Sequence, residues 1–153
     1  MDVLIIDYTP AYAADFKKLN LEWLDKYGLT EDGDLLMLDH PEREILDTGG
    51  AIYLAKVGNT IAGSAALINE GEGVFELAKM AVIDRYKGQG ISKLLIEKCL
   101  DKASLLSAKK IYLQSNSQLT TALALYEKYG FRHVPVINSH YATADVMMEK
   151  IIG

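Results

Sequence analysis

Apolar and polar positions along the chain change period several times, and each change marks an element. Residues 3–7 form a short apolar run that stops before Thr9-Pro10, the pattern of a strand followed by a helix start. Phe16, Leu19, Asn20, Trp23 and Leu24 then recur at helical spacing, and Gly28 closes that helix. Residues 29–50 are polar and irregular, with a short helix expected over 41–46 and a stop at Gly49-Gly50. The middle of the chain reads as strands. Residues 51–57 and 60–68 flank the hairpin turn Gly58-Asn59, and a second turn over 70–73 leads into a third antiparallel strand, 74–82. Helical spacing returns over 90–107, where Ile91, Leu94, Leu95, Cys99 and Leu106 are expected on one buried face. A strand over 110–115, a helix over 120–129 closed by Gly130, and strands over 131–136 and 143–150 complete the chain.

The order is therefore β-α-α-β-β-β-α-β-α-β-β. A three-stranded meander that feeds a strand-helix-strand crossover requires a mixed sheet covered by helices. The fold class expected is α/β, with a largely antiparallel sheet of about seven strands and about four helices. The 153 residues suffice for one domain and show no repeat, low-complexity tract or linker, so a single domain over 1–153 is expected.

Composition narrows the classes. Half the residues are hydrophobic and 24% are charged, as in ordinary globular proteins. No apolar run reaches the length of a membrane span, and the start MDVLIIDYTP lacks the basic flank and apolar stretch of a signal peptide. One cysteine, Cys99, allows no internal disulfide, so a cytoplasmic setting without membrane association is expected. The net charge of −5 argues against a nucleic-acid partner. The charge is unevenly spread: residues 22–48 hold nine acids against two bases. One end of the molecule should tolerate a cationic guest and another an anionic one, although a solvated acidic helix pair is the plainer account.

The candidate chemistry lies between the third meander strand and the long helix, in Arg85-Tyr86-Lys87-Gly88-Gln89-Gly90-Ile91-Ser92. Two glycines one residue apart let the backbone turn tightly beside a ligand. The following helix offers unpaired N–H groups and the positive end of its dipole, an arrangement that suits phosphates. Lys87 and Arg85 add charge and Ser92 a hydroxyl. A dinucleotide fingerprint would want glycine where Lys93 stands, and a P-loop would want lysine where Ile91 stands. Both also need a parallel unit, whereas this loop follows an antiparallel meander.

The segment resembles the pyrophosphate signature of the GNAT (GCN5-related) N-acetyltransferases, Gln/Arg-x-x-Gly-x-Gly/Ala, at every fixed position. A second stretch is also similar to that family: Asn116 after a strand, then Leu125-Tyr126-Glu127-Lys128-Tyr129-Gly130-Phe131-Arg132. The resemblance covers nearly the whole chain and implies acetyl-CoA as co-substrate, with no metal. It assigns the pyrophosphate to backbone N–H groups of residues 87–92, namely Lys87, Gly88, Gln89, Gly90, Ile91 and Ser92. Met80, Ala81 and Val82 would pair with the pantetheine and supply an oxyanion donor. Tyr126 would protonate the departing thiolate, and Glu76 would serve as the base that frees the amine.

Each assignment has a plainer counterpart. Tyr126 shares a helical face with Ala122, Leu125 and Tyr129, as core residues do. Glu76 is expected to share a face with Ala78, Met80 and Val82 if the strand alternates regularly, but a meander glutamate is often plain surface. Asn116 fits a turn as well as a pantetheine contact. His40, His133 and His140 are too scattered for a metal site, although His140-Tyr141 lies in a loop that in this fold borders the acceptor. Cys99 reads as core, and Trp23, Tyr12 and Tyr27 as packing or cleft residues. The activity implied is acetyl transfer to a primary amine of a small molecule or peptide, expected to be cationic because the acidic stretch walls the acceptor cleft in this fold. A non-catalytic acyl-CoA-binding module and a protein N-terminal or lysine acetyltransferase are the alternatives, and the family also includes homodimers.

Overall fold

In a computed structural model, residues 2–139 and 141–153 are described. The strands are β1 (Leu4–Asp7), β2 (Ala51–Val57), β3 (Thr60–Gly71), β4 (Val74–Val82), β5 (Lys110–Ser115), β6 (Arg132–Val134) and β7 (Val146–Ile151). The helices are α1 (Ala13–Tyr27), α2 (Asp32–Asp39), α3 (Ile91–Leu105) and α4 (Thr120–Lys128), with short 3-10 or π turns between. All seven strands form one sheet in the order β1-β2-β3-β4-β5-β7-β6, antiparallel at each junction except β4–β5. The mixed, largely antiparallel α/β architecture is the one expected from the element order.

Helices cover both faces of the sheet. On one face Tyr53, Ala55, Leu67, Phe75 and Leu77 meet Ile91, Leu95, Ile96, Cys99 and Ala103 of α3, with Tyr126 and Phe131 alongside. On the other, Ile52, Leu54, Ala66 and Ile68 meet Phe16 and Leu19 of α1, Leu38 of α2 and Ile45. Strands buried on both faces read as nearly continuous apolar runs, which is why β3 shows so little alternation. Each of these fully buried large side chains contributes roughly 1.5–3 kcal/mol of transfer free energy.

Three local expectations change. The stretch over 29–50 contains α2, which begins in a capping box: the Glu31 carboxylate accepts from Asp34 N–H, and the Asp34 carboxylate accepts from Glu31 N–H at 3.0 Å. The expected helix at 41–46 is a π turn, Glu42–Leu46. On α3 the buried stripe runs through Ile91, Leu95, Ile96, Cys99 and Ala103, leaving Leu94 and Leu106 partly exposed. Leu94 sits at the margin of that stripe, and Leu106 lies beyond the last helical turn.

Two irregularities of β4 shape the site. Its pairing with parallel β5 covers Val74, Phe75 and Glu76 and then ends, although β4 runs to Val82 and β5 to Ser115. The two strands splay apart and open a cleft through the sheet. In the same region β4 carries a bulge: Ser64 pairs with Ala81 and Ala66 with Ala78, so one extra residue lies on β4. Lys79 takes the left-handed backbone conformation there, with φ of 54°.

Candidate active site

The bulge corrects the strand alternation. Phe75 and Leu77 pack on the α3 side and Ala78 on the α1 side, but beyond Lys79 it is Met80 and Val82 that pack on the α3 side and Ala81 on the α1 side. Glu76 therefore does not share a face with Met80 and Val82. An inserted residue reverses the period-2 pattern, and no feature of the apolar run announces it.

Buried polar groups hold the bulge. The Ser64 hydroxyl donates to Lys79 C=O at 2.6 Å and accepts from Asn20 Nδ2 at 2.9 Å; Asn20 Nδ2 also donates to Phe16 C=O at 2.9 Å. The Lys79 ammonium pairs with Asp34 inside the protein, both side chains about 95% buried, and lies 5.6 Å from the Tyr141 ring centroid.

The cleft has two arms. The outer arm is lined by Met80, Ala81 and Val82 on one side, by Lys87, Gly88, Gly90, Ile91 and Ser92 at its end, and by Gln118 to Ala122 across from them. Gly88 and Gly90 have φ of 78° and 79°, and a Cβ at either position would meet nothing within 4 Å. The glycines are there for the backbone conformation, and the space above them is open to a ligand. Gly90 caps α3, whose first N–H groups have no intrahelical partner. Lys87 donates to Asp84 at 3.0 Å and to Tyr27 Oη at 3.3 Å; burial opposes its charge, but these bonds hold its pKa above the ordinary value. These features suit a pyrophosphate.

The remaining assigned residues lie elsewhere. Arg85 stacks on Tyr86, 5.2 Å from the ring centroid, and faces a separate groove beside Lys18 and Lys26. Gln89 is exposed between the glycines and lines neither arm. Asn116 lines the inner arm; its Oδ1 accepts from Gln118 N–H at 3.1 Å within the turn, and its Nδ2 donates to Thr143 C=O at 2.8 Å, 27 positions away.

The inner arm lies in the gap between β4 and β5. It is lined by Glu76, Lys79, Gln114, Asn116 and Tyr141 among polar residues, and by Leu24, Leu29, Leu113 and Leu119 among apolar ones. Glu76 is 3% exposed, and Gln114 Nε2 donates to it at 2.8 Å. Tyr141 is partly buried, and its phenol is pushed well above the ordinary value, first by burial and then by the charges of Glu76, Asp34 and Glu31. The loop carrying it is held by the Glu31 carboxylate, which accepts from Ala142 N–H and Thr143 N–H at 2.9 Å and from the Thr143 hydroxyl at 2.5 Å. Burial pushes the Glu31 pKa up, but these bonds and the nearby Lys79 hold it below the ordinary carboxylate value. His140 lies outside the described residues.

Trp23, Met80, Leu119, Ala122 and Tyr126 line both arms and mark their junction. Burial pushes the Tyr126 phenol far above its ordinary pKa, so it stays protonated through the neutral range. No fully buried side-chain oxygen or nitrogen among the described residues lacks a hydrogen bond, and no described residue bonds the Tyr126 hydroxyl, so that hydroxyl reaches the cleft surface. Tyr27 stands at the outer arm, whereas Tyr12 packs beside Lys56. Cys99 is buried and its thiol is pushed up to about 12, so it is a core residue. His133 binds Glu127 at 3.1 Å, and no group of three or more metal-ligating side chains occurs among the described residues. No described helix is long and apolar enough to cross a membrane.

Sequence reasoning did not assign Lys79, Asp34 or Gln114 to the site. A lysine in a strand that is apolar apart from Glu76 was the one available signal for Lys79. Of the nine acids over 22–48, Asp34 alone lines the inner arm, and Lys79 matches its charge. The acidic stretch does not itself make that arm anionic.

The splayed mixed sheet thus carries a glycine-rich loop at one end of the cleft and a buried carboxylate at the other. Residues 16–131 match the model of the acetyltransferase (GNAT) family, and the chain belongs to that family. It is 34% identical over 105 residues to N-acetylaspartate synthetase of Xenopus tropicalis, a match covering 68% of this chain and 39% of that protein. The chain thus spans well under half the length of that relative. An acetyltransferase of the GNAT family from Staphylococcus aureus Mu50 superposes with a TM-score of 0.92 at 21% identity, covering 99% of this chain and 100% of that one. The PaiA N-acetyltransferase of Thermoplasma acidophilum, solved in complex with coenzyme A, gives 0.77 at 16% identity with 99% of each chain covered. Both structural likenesses concern the fold.

Proposed function

We propose that the protein transfers an acetyl group from acetyl-CoA directly to a primary amine of a small molecule or peptide. The observation that carries this reading is the junction of the two arms at Tyr126 and Met80, with an anion loop beyond one arm and Glu76 in the other. Acetyl-CoA supplies an activated acyl carbon. The backbone N–H groups of residues 87–92 hold its pyrophosphate, and the open edge of β4 at Met80, Ala81 and Val82 receives its amide-bearing arm. In the transfer an N–C bond forms and the C–S bond breaks. Glu76 takes one proton from the ammonium, directly or through water; Tyr126 gives its proton to the departing thiolate, and the second amine proton, lost as the amide forms, restores the Tyr126 phenol, so one proton is released overall. The coenzyme A bound to the Thermoplasma structure supports the donor. The Xenopus relative, named for making N-acetylaspartate, supports a small amino-bearing acceptor. The ammonium form of the amine is cationic and is drawn to Glu76. A reducing, cytoplasmic setting remains our reading, supported by a lone, buried Cys99.

The test is thiol release from acetyl-CoA against a panel of amino acids, polyamines, aminoglycosides and short peptides. Turnover with one class is expected. Tyr126→Phe should lower kcat by about a hundredfold while the acetyl-CoA Kd stays within about threefold. Binding of acetyl-CoA without turnover of any amine would instead make the domain a non-catalytic acyl-CoA-binding module.

A further inference from the structure

Within the inner arm one cation is placed in a way that stability alone does not explain. Lys79 occupies a left-handed backbone position at the bulge, which costs a non-glycine residue about 1–2 kcal/mol. Its side chain is 4% exposed and is paired with Asp34. Buried ion pairs often contribute little net stability, because both charges lose their water. Strain and a buried charge together at a cleft wall therefore point to function.

The donor inventory shows what that function needs. A lysine ammonium has three N–H donors and no acceptor. Among the described residues Asp34 is its hydrogen-bonding partner, and the Tyr141 ring lies 5.6 Å away. Asp34 is itself committed on its other oxygen to Glu31 N–H, as part of the capping box of α2. Lys79 thus keeps donors available while it lines the inner arm beside Glu76 and Tyr141. Glu76 and Asp34 both act on the Tyr141 phenol, so the acidic and basic groups lie around one side chain.

From this placement we propose that the acceptor is a free amino acid, bound as a zwitterion: its carboxylate is received by Lys79 beside Tyr141 and its ammonium by Glu76. This rests on the acetyl-transfer reading and deepens it. Among the described residues, the charged side chains lining the arm are Asp34, Glu76 and Lys79. A zwitterion brings a carboxylate to the Lys79 donors and an ammonium to the Glu76 carboxylate, whereas a polyamine brings no carboxylate and would set a second ammonium against Lys79. A peptide N-terminus carries no adjacent carboxylate and leaves the lysine donors unused.

The experiment compares kcat/KM for each of a set of L-amino acids with its α-amide and with its decarboxylated amine, using the unaltered protein. The acid form is expected to be preferred about tenfold to a hundredfold, as one lost charge-assisted hydrogen bond implies. Lys79→Met should bring that ratio close to one, and Lys79→Arg should keep most of it. Should Lys79→Met fail to fold, the comparison with unaltered protein decides alone. Equal or better use of the amides or decarboxylated amines overturns the inference and leaves acetyl transfer standing. Absence of turnover in all three classes while acetyl-CoA binds overturns both.

Discussion

Removing the Ser64 hydroxyl isolates the bulge from the rest of the fold. Ser64 is fully buried, donates to Lys79 C=O at 2.6 Å and accepts from Asn20 Nδ2 at 2.9 Å. In Ser64→Ala the carbonyl of Lys79 loses this partner in a dry interior, while Asn20 keeps its bond to Phe16 C=O. A buried polar group left unsatisfied costs about 1–3 kcal/mol. The carbonyl contributes most of that, so a loss near 2 kcal/mol is expected, against a total stability of about 5–15 kcal/mol for a domain of this kind. Equilibrium urea unfolding measures the loss. Ser104→Ala, an exposed change on α3, is the control and should stay within about 0.5 kcal/mol. Because the variant remains folded without denaturant, a fall in kcat for acetyl-CoA turnover reports altered geometry at Lys79 and Met80. A stability change under about 0.5 kcal/mol together with an unchanged kcat would refute the reasoning, since the hydroxyl would then hold nothing.

Three further outcomes follow from the site and the core. Gly88→Ala meets no atom within 4 Å but must hold φ of 78°, so a stability loss of about 1–2 kcal/mol is expected. If the loop relaxes to avoid that strain, the acetyl-CoA Kd measured by calorimetry should rise about tenfold, and an unchanged Kd would speak against the loop as the pyrophosphate site. Burial raises the phenols of Tyr8 and Tyr53 from 10.0 to about 12, with help from Glu42 for the first and from Cys99 and Asp7 for the second. The folded chain then holds protons that the unfolded chain has released, so this stability is complete below pH 10 and is lost as pH rises from 10 towards 12. A urea midpoint that stays level across that window would contradict it. Cys99, with its thiol pushed up to about 12, should resist iodoacetamide at neutral pH in the folded protein and label fully in urea; fast labelling of folded protein by mass spectrometry would show the site to be open.

Much of the architecture could be read from spacing alone. Strands 51–57, 74–82 and 110–115 have the bounds that apolar runs and turn residues indicate, because turn chemistry and burial on both faces are local properties. Gly88 and Gly90 were legible as backbone necessities, and the helix that follows them as the source of free N–H groups. Helix α2 was obscured because its cap is a pair of acids, Glu31 and Asp34, set in a stretch whose charge suggested a solvated loop.

The proposed donor half of the site belongs to the sequence, and the proposed acceptor half to the tertiary structure. A glycine-rich loop before a helix binds through its own backbone, so its chemistry is written in consecutive residues. The inner arm depends on where β4 and β5 part, and on a single inserted residue that turns Glu76 to the opposite face from Met80 and Val82. It also depends on Asp34 reaching Lys79 across 45 positions, and Glu31 reaching Thr143 across 112. A β-bulge and long-range ion pairs arise from the packing of distant elements, and neither leaves a local pattern in the chain.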